Sequence, residues 1–177
     1  MNVIAAVLLA FIIYIFLKEI KNTAANSSNS KNENISTNNL LQTDNNYLTM
    51  IKQVAEEYNL NPAVLFAIAA TEQGTLNMNE WNPDAYNPKD PSGAFGLTQI
   101  LSDTANELGI ANPYELFNPY TALETTAKYL KTFSPDPNNI EISAQVYNAG
   151  PNADFIDSGY IKKAVENYNF YEKNYEY

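Results

Sequence analysis

Cysteine, histidine and arginine are absent from the 177 residues, and tryptophan occurs once. Without thiols the chain has no disulfide framework and no thiolate nucleophile. Without imidazole it has no Ser-His-Asp triad and no Cys/His zinc site. The ten cationic side chains are all lysines, set against 20 acids, for a formal net charge of −10. Phosphate binding needs a cationic face, so nucleic acid is excluded as a partner. No spacing resembles an EF-hand loop, so a calcium module is not expected either. Catalysis is left to carboxylates, hydroxyls, amides and lysine.

Charge and hydropathy divide the chain into three parts. Residues 1–17 (MNVIAAVLLAFIIYIFL) carry one strongly polar side chain, Asn2. As a helix they reach about 25 Å at ~1.5 Å per residue, close to the short limit for a bilayer span. Lys18 and Lys21 follow and can snorkel to the interface. Residues 1–21 therefore read as a single-pass transmembrane anchor in contact with a lipid membrane. A cleaved signal peptide is the alternative, with Thr23-Ala24-Ala25 as a weak cleavage site. The trailing lysines favour a cytoplasmic C-terminal part by the positive-inside rule, while Glu19 and the terminal amine soften that bias, so orientation stays open. Residues 22–46 are mostly Asn, Ser and Thr, with too little apolar surface to offset chain-ordering entropy, and read as a flexible linker. Residues 1–46 hold three lysines and three acids, so the whole −10 belongs to residues 47–177.

From Tyr47 onward the period is helical. Tyr47, Ile51, Val54 and Tyr58 fall on one helix face. Asn61-Pro62 reads as N-cap and first residue of a second helix, PAVLFAIAATEQ, which is apolar all round and hence a buried core helix closed by Gly74. Ser102 is the expected cap of a short helix ending at Leu108-Gly109. Asn118-Pro119 opens another, with Tyr120, Leu123, Ala127 and Leu130 as its stripe and a Glu124–Lys128 pair one turn apart. Ile161, Val165 and Tyr168 mark a last helix. Residues 75–95, punctuated by prolines, read as a long loop with room for a small hairpin. The expectation is one mainly α domain.

Three segments carry candidate chemistry. Glu72 lies in the last turn of the most apolar helix. There the negative end of the helix dipole and partial burial beside Leu65 and Ile68 both disfavour its charge, raising its pKa toward that of a general acid at neutral pH. A solvated helix-end glutamate is the plainer alternative. Ser92-Gly93-Ala94-Phe95-Gly96-Leu97-Thr98-Gln99-Ile100 is a glycine-punctuated turn whose Gln99 offers donors and an acceptor suited to sugar hydroxyls and N-acetyl groups. Val146-Tyr147-Asn148-Ala149-Gly150-Pro151 ends a helix, as a binding segment or as an ordinary C-cap with a tyrosine plug.

In this order, Glu72-Gln73, Gly96-Leu97-Thr98-Gln99-Ile100 and Val146-Tyr147-Asn148-Ala149-Gly150 resemble the three motifs of the soluble lytic transglycosylases, whose catalytic domain has the goose-type lysozyme-like fold. The Asn118-Pro119 helix resembles the one between their second and third motifs. The resemblance covers residues 47–165. It departs at Gln73, where the family has Ser, and at Thr98, where it has Met. It implies a lysozyme-like helical domain over residues 47–177 that cleaves peptidoglycan glycan strands, with no metal and no cofactor. Glu72 is the implied single acid/base, Tyr147 hydrogen-bonds near it, and Gln73, Thr98, Gln99, Tyr147 and Asn148 form the substrate-binding set.

The implied reaction breaks the N-acetylmuramic acid–N-acetylglucosamine β-1,4 bond and leaves 1,6-anhydromuramic ends. Two alternatives stand beside it. One is a hydrolytic muramidase, which would need a second carboxylate such as Asp84, Asp90 or Asp103. The other is a non-catalytic, membrane-tethered wall-binding or structural protein. Trp81 and Tyr86 are candidates for sugar stacking or for loop-to-core packing. The Tyr-rich end from Tyr168 either packs on the domain or extends the groove. The anchor and linker imply action on wall close to a membrane, in a bacterial envelope or in the membrane of a phage virion, with envelope or virion proteins as neighbours.

Overall fold

The computed structural model describes residues 38–89 and 92–175, with side chains from residue 46 onward. The expected anchor, residues 1–21, and residues 22–37 of the expected linker lie outside the described residues. Among the described residues no helix is long and apolar enough to cross a membrane.

Helix α1 spans Asn38–Tyr58 and so begins nine residues before the expected boundary at Tyr47. The difference has a simple cause. Tyr47, Ile51 and Val54 are buried and anchor the helix, after which extending it backwards costs only propagation and no new nucleus. Helix α2 is Pro62–Gln73, and every residue from Ala63 to Thr71 is buried. Its Asn61 cap accepts from the Ala63 N–H at 2.8 Å. Its C-terminus closes on Gly74 in the left-handed region, φ +75°.

The loop after α2 carries a short antiparallel sheet of three two-residue strands: β1 (Tyr86–Asn87), β2 (Ala94–Phe95) and β3 (Ile100–Leu101). The register pairs Asn87 with Ala94 and Ala94 with Leu101, so those three share one face, and Tyr86, Phe95 and Ile100 share the other. Helix α3 (Ser102–Glu107) follows directly. Ser102 does not cap it. The residue before the helix is Leu101, and the Ser102 hydroxyl instead donates to the Ser92 carbonyl across the base of the β2–β3 hairpin.

Helix α4 (Pro119–Phe133) is capped by Asn118 through Tyr120 and Thr121, and Leu123, Ala127 and Leu130 are buried as the stripe requires. Glu124 and Lys128 do not pair with each other. Glu124 accepts from the Tyr58 hydroxyl and Lys128 donates to the Leu108 carbonyl. Helix α5 (Ile140–Ala149) and helix α6 (Ser158–Tyr175) complete the domain. The helix expected from Ile161, Val165 and Tyr168 is present; its fully buried residues are Ala164, Asn167 and Tyr171, with Ile161 and Tyr168 partly buried against the core. A polar Asn among them hides the buried set from a reading based on apolar period.

The core gathers around α2, which packs against α1, α4, α5 and most extensively α6. Phe66 is its aromatic hub, with Trp81, Tyr171 and Tyr175 at ring distances of 5.6, 5.2 and 5.9 Å. The Tyr-rich end is thus packed on the domain through Tyr171 and Tyr175. Trp81 is only 5% exposed and its indole N–H donates to the Thr75 carbonyl, so it is a core residue rather than a sugar platform. Tyr86 is 54% exposed and lies on Phe95, on the sheet face opposite Asn87 and Ala94.

Candidate active site

The apolar sequence of α2 buries the helix up to Thr71, and the next residue emerges at the edge of the core. Glu72 lines a cleft of about 320 Å³ together with Asn87, Ala94, Leu101, Gln99, Tyr147 and Asn148. Among the described residues Glu72 is the only carboxylate lining it. Asn87, Ala94 and Leu101 come from one face of the small sheet, and Tyr147 and Asn148 from the C-terminal turn of α5.

Burial lifts the Glu72 pKa to about 7, against two weaker opposing effects: a hydrogen bond from Tyr160 and the charge of Lys163. The Tyr160 hydroxyl donates to Glu72 Oε1 at 2.6 Å, which fixes the carboxyl group. The expected partner, Tyr147, does something different. Its hydroxyl donates to the Thr98 carbonyl at 2.7 Å and lies 3.3 Å from Thr126 Oγ1, while its ring stands edge-on to Tyr129. Burial, and after it the nearby Glu72 charge, holds the Tyr147 and Tyr160 phenols far above the ordinary tyrosine range, so both remain protonated donors.

The glycine-rich segment explains how Gln99 reaches the cleft. Gly96 has φ +75°, and a Cβ there would sit 2.0 Å from the Leu116 carbonyl oxygen, so no other residue fits the turn. Gln99 itself adopts φ +52°, a conformation rare for a residue with a side chain, held by its N–H on the Gly96 carbonyl. Its Nε2 donates to the carbonyls of Ala85 and Gly96, so the amide oxygen is the group it presents to a ligand.

Two members of the expected substrate-binding set serve the scaffold instead. Thr98 is 0% exposed: it accepts from Thr126 Oγ1 and gives its carbonyl to Tyr147. It cannot touch a glycan; it ties the turn to α4 and orients the tyrosine. Gln73 donates from Nε2 to the Leu97 carbonyl at 2.8 Å and accepts from the Asn82 N–H at 2.7 Å. Both ends of its amide are occupied, so it braces the turn and the following loop against the end of α2. Asn148 is exposed at the end of α5 and lines the cleft. Asp84 and Asp103 are exposed and do not line the Glu72 cleft, while Asp90 lies outside the described residues.

Tyr160 and Asn87 are functional candidates that sequence reasoning missed. A partial signal for Tyr160 existed. Asp157 caps α6 through the Gly159 and Tyr160 N–H groups, and Tyr160, Ala164, Asn167 and Tyr171 follow at helical spacing. Nothing local to Asn87 announces its role, which comes from strand pairing alone.

Comparison with known protein families matches residues 49–170 to the family described as the transglycosylase SLT domain. The matched span contains Glu72, the Gly96–Gln99 turn, Tyr147, Asn148 and Tyr160, and all the helices from α2 to α5.

Proposed function

The chain belongs to the transglycosylase SLT family, and on that premise we propose that it is a peptidoglycan lytic transglycosylase in which Glu72 is the single acid/base. The observation that carries this reading is the cleft itself, whose described lining holds one carboxylate, shielded enough that its pKa rises to about 7, together with the amides of Asn87, Gln99 and Asn148, which suit a sugar. A two-carboxylate hydrolase would place a second Asp or Glu across the cleft, and the lining residues described here include none.

In this mechanism protonated Glu72 donates to the glycosidic oxygen between N-acetylmuramic acid and N-acetylglucosamine, and the C1–oxygen bond breaks. The N-acetyl carbonyl of the muramic residue stabilises the positive charge left at C1. The Glu72 carboxylate then removes the proton from the muramic C6 hydroxyl, whose oxygen closes on C1. The proton count balances, Glu72 ends protonated as it began, and no water is consumed. Ring closure within one sugar draws on proximity rather than on a positioned water. Tyr160 holds one carboxyl oxygen while the other serves both proton transfers, and Gln99, Asn87 and Asn148 offer amide groups to the glycan.

Residues 1–21 complete the proposal as a membrane anchor that keeps the domain beside the wall. Tethering offsets the electrostatic handicap of an acidic domain acting on an anionic polymer. Mass analysis of muropeptides released from purified sacculi by the full chain tests the chemistry. Anhydro ends that disappear with Glu72→Gln support it, whereas reducing ends indicate a hydrolase and overturn the ring-closure step. Release from the membrane fraction on deleting residues 1–21 tests the anchor. Mass spectrometry of purified phage particles and of host envelopes identifies the setting.

A further inference from the structure

Three side chains on one face of α6, at positions i, i+3 and i+7, converge on the last turn of α2. Tyr160 donates to the Glu72 carboxylate. Lys163 Nζ lies 3.4 Å from the Thr71 carbonyl oxygen. Asn167, itself buried, donates from Nδ2 to Thr71 Oγ1 at 2.9 Å. Helix α2 has no basic residue in its own last turn. A helix C-terminus carries partial negative charge, usually answered by a lysine or arginine of the same helix. Here the cation comes from another helix, at the residue preceding the acid.

We propose that Lys163 is a positioning residue that sets the pH range over which Glu72 works, by placing its ammonium group at the Thr71 carbonyl in the last turn of α2. This inference rests on Glu72 being the acid. Its physical basis is the balance around the carboxyl group. Burial favours the neutral form, while the Tyr160 hydrogen bond and the Lys163 charge favour the ionised form. The groups facing Glu72 are Tyr160 and Lys163 on α6 and Tyr147 on α5. Asp157, before α6, acts on Tyr160. The only cation in this set is Lys163. The adjacent Lys162 points elsewhere, into an exposed pair with Glu166 at 3.9 Å.

The test compares the full-length protein with Lys163→Met, Lys163→Arg and Lys162→Met, each at the same ionic strength. Two readouts are taken: the pH profile of kcat/KM on purified peptidoglycan, and the carboxyl-carbon NMR titration of labelled Glu72 without substrate. Losing an opposite charge keeps the acid protonated to higher pH. The alkaline limb and the titration midpoint of Lys163→Met should therefore move up by about half to one pH unit, a fraction of the effect of a fully buried charge pair. Lys163→Arg should restore the parent position, and Lys162→Met should leave it unchanged. A Lys163→Met protein whose rate falls while limb and midpoint stay fixed overturns the inference, because the lysine would then serve folding alone. Equal shifts in Lys162→Met and Lys163→Met also overturn it, by reducing the effect to net charge. If the parent cleaves no peptidoglycan the catalytic reading fails, yet the midpoint still decides the role of Lys163.

Discussion

The two ends of α2 are built to opposite rules. At its N-terminus every orphan group has an answer. Asn61 caps the helix, Pro62 takes the position where an N–H is dispensable, and the Asn61 side chain also donates to the Tyr168 hydroxyl and to Glu172 on α6. The Asn61 N–H in turn donates to Asn138. At its C-terminus the same helix places a carboxylate at the edge of an apolar core, where burial raises its pKa to about 7. Helix α6 runs past both ends, supplying Tyr168 and Glu172 to the first and Tyr160, Lys163 and Asn167 to the second. The contrast teaches that one helix can hold stability at one end and reactivity at the other, provided a second helix fixes both.

Replacing Glu72 by Gln should break this contrast most strongly. Turnover should fall by about 10²–10⁴-fold, the contribution typical of a positioned proton donor. Stability should move the other way. The folded carboxyl group binds its proton more tightly than the unfolded one, so its ionisation destabilises the fold as pH rises from 4.5 toward about 7, and the full cost is present above that. Denaturant unfolding should show the Gln variant gaining roughly 3 kcal/mol on the parent between pH 4 and pH 8, an upper figure at 1.36 kcal/mol per pKa unit. A gap that is the same at both pH values would contradict the account.

Tyr160→Phe sharpens the comparison at the C-terminal end. It removes one hydrogen bond to the acid without changing the ring, and turnover should drop about ten-fold, in keeping with ~1.5 kcal/mol for a bond to a charged group. Turnover equal to the parent's would mean that burial alone positions Glu72. Gln73→Ser should cost about 1–2 kcal/mol of stability. A serine is too short to bridge the Leu97 carbonyl and the Asn82 N–H together. Thermal or denaturant unfolding decides this, and a more stable serine variant would refute the bracing role. The smallest effect is expected at the other end. Asn61→Ala should lose about 1 kcal/mol through the cap while leaving kcat/KM near the parent value. A large activity loss there would mean that the two ends are not separable.

The helices were largely legible. Asn61-Pro62 and Asn118-Pro119 each form the caps that local chemistry dictates, and the all-apolar PAVLFAIAATEQ segment is the buried centre of the fold. The misreadings arose where a neighbour in space overrode a local preference. Ser102 gave up its cap to hold the Ser92 carbonyl. Thr98 and Gln73, both polar and both inside the motif segments, look like ligand contacts along the chain but are consumed by Thr126, Tyr147, Leu97 and Asn82. The end of α1 nearest the linker was missed because a polar composition does not forbid a helix that a packed turn has already nucleated.

By itself the sequence determined the reaction's raw material. A chain without Cys, His or Arg leaves proton chemistry to carboxylates, hydroxyls and lysine, and among the carboxylates Glu72 sits at the end of a helix apolar enough to shield it. Tertiary structure alone decided which groups face that carboxylate. Tyr160 and Lys163 lie some 90 positions later in the chain, and strand pairing brings Asn87 to the cleft that Glu72 lines. The reason is physical. Desolvation follows from local composition and can be read along the chain, whereas hydrogen bonds and charge fields depend on distance in space, which only packing sets.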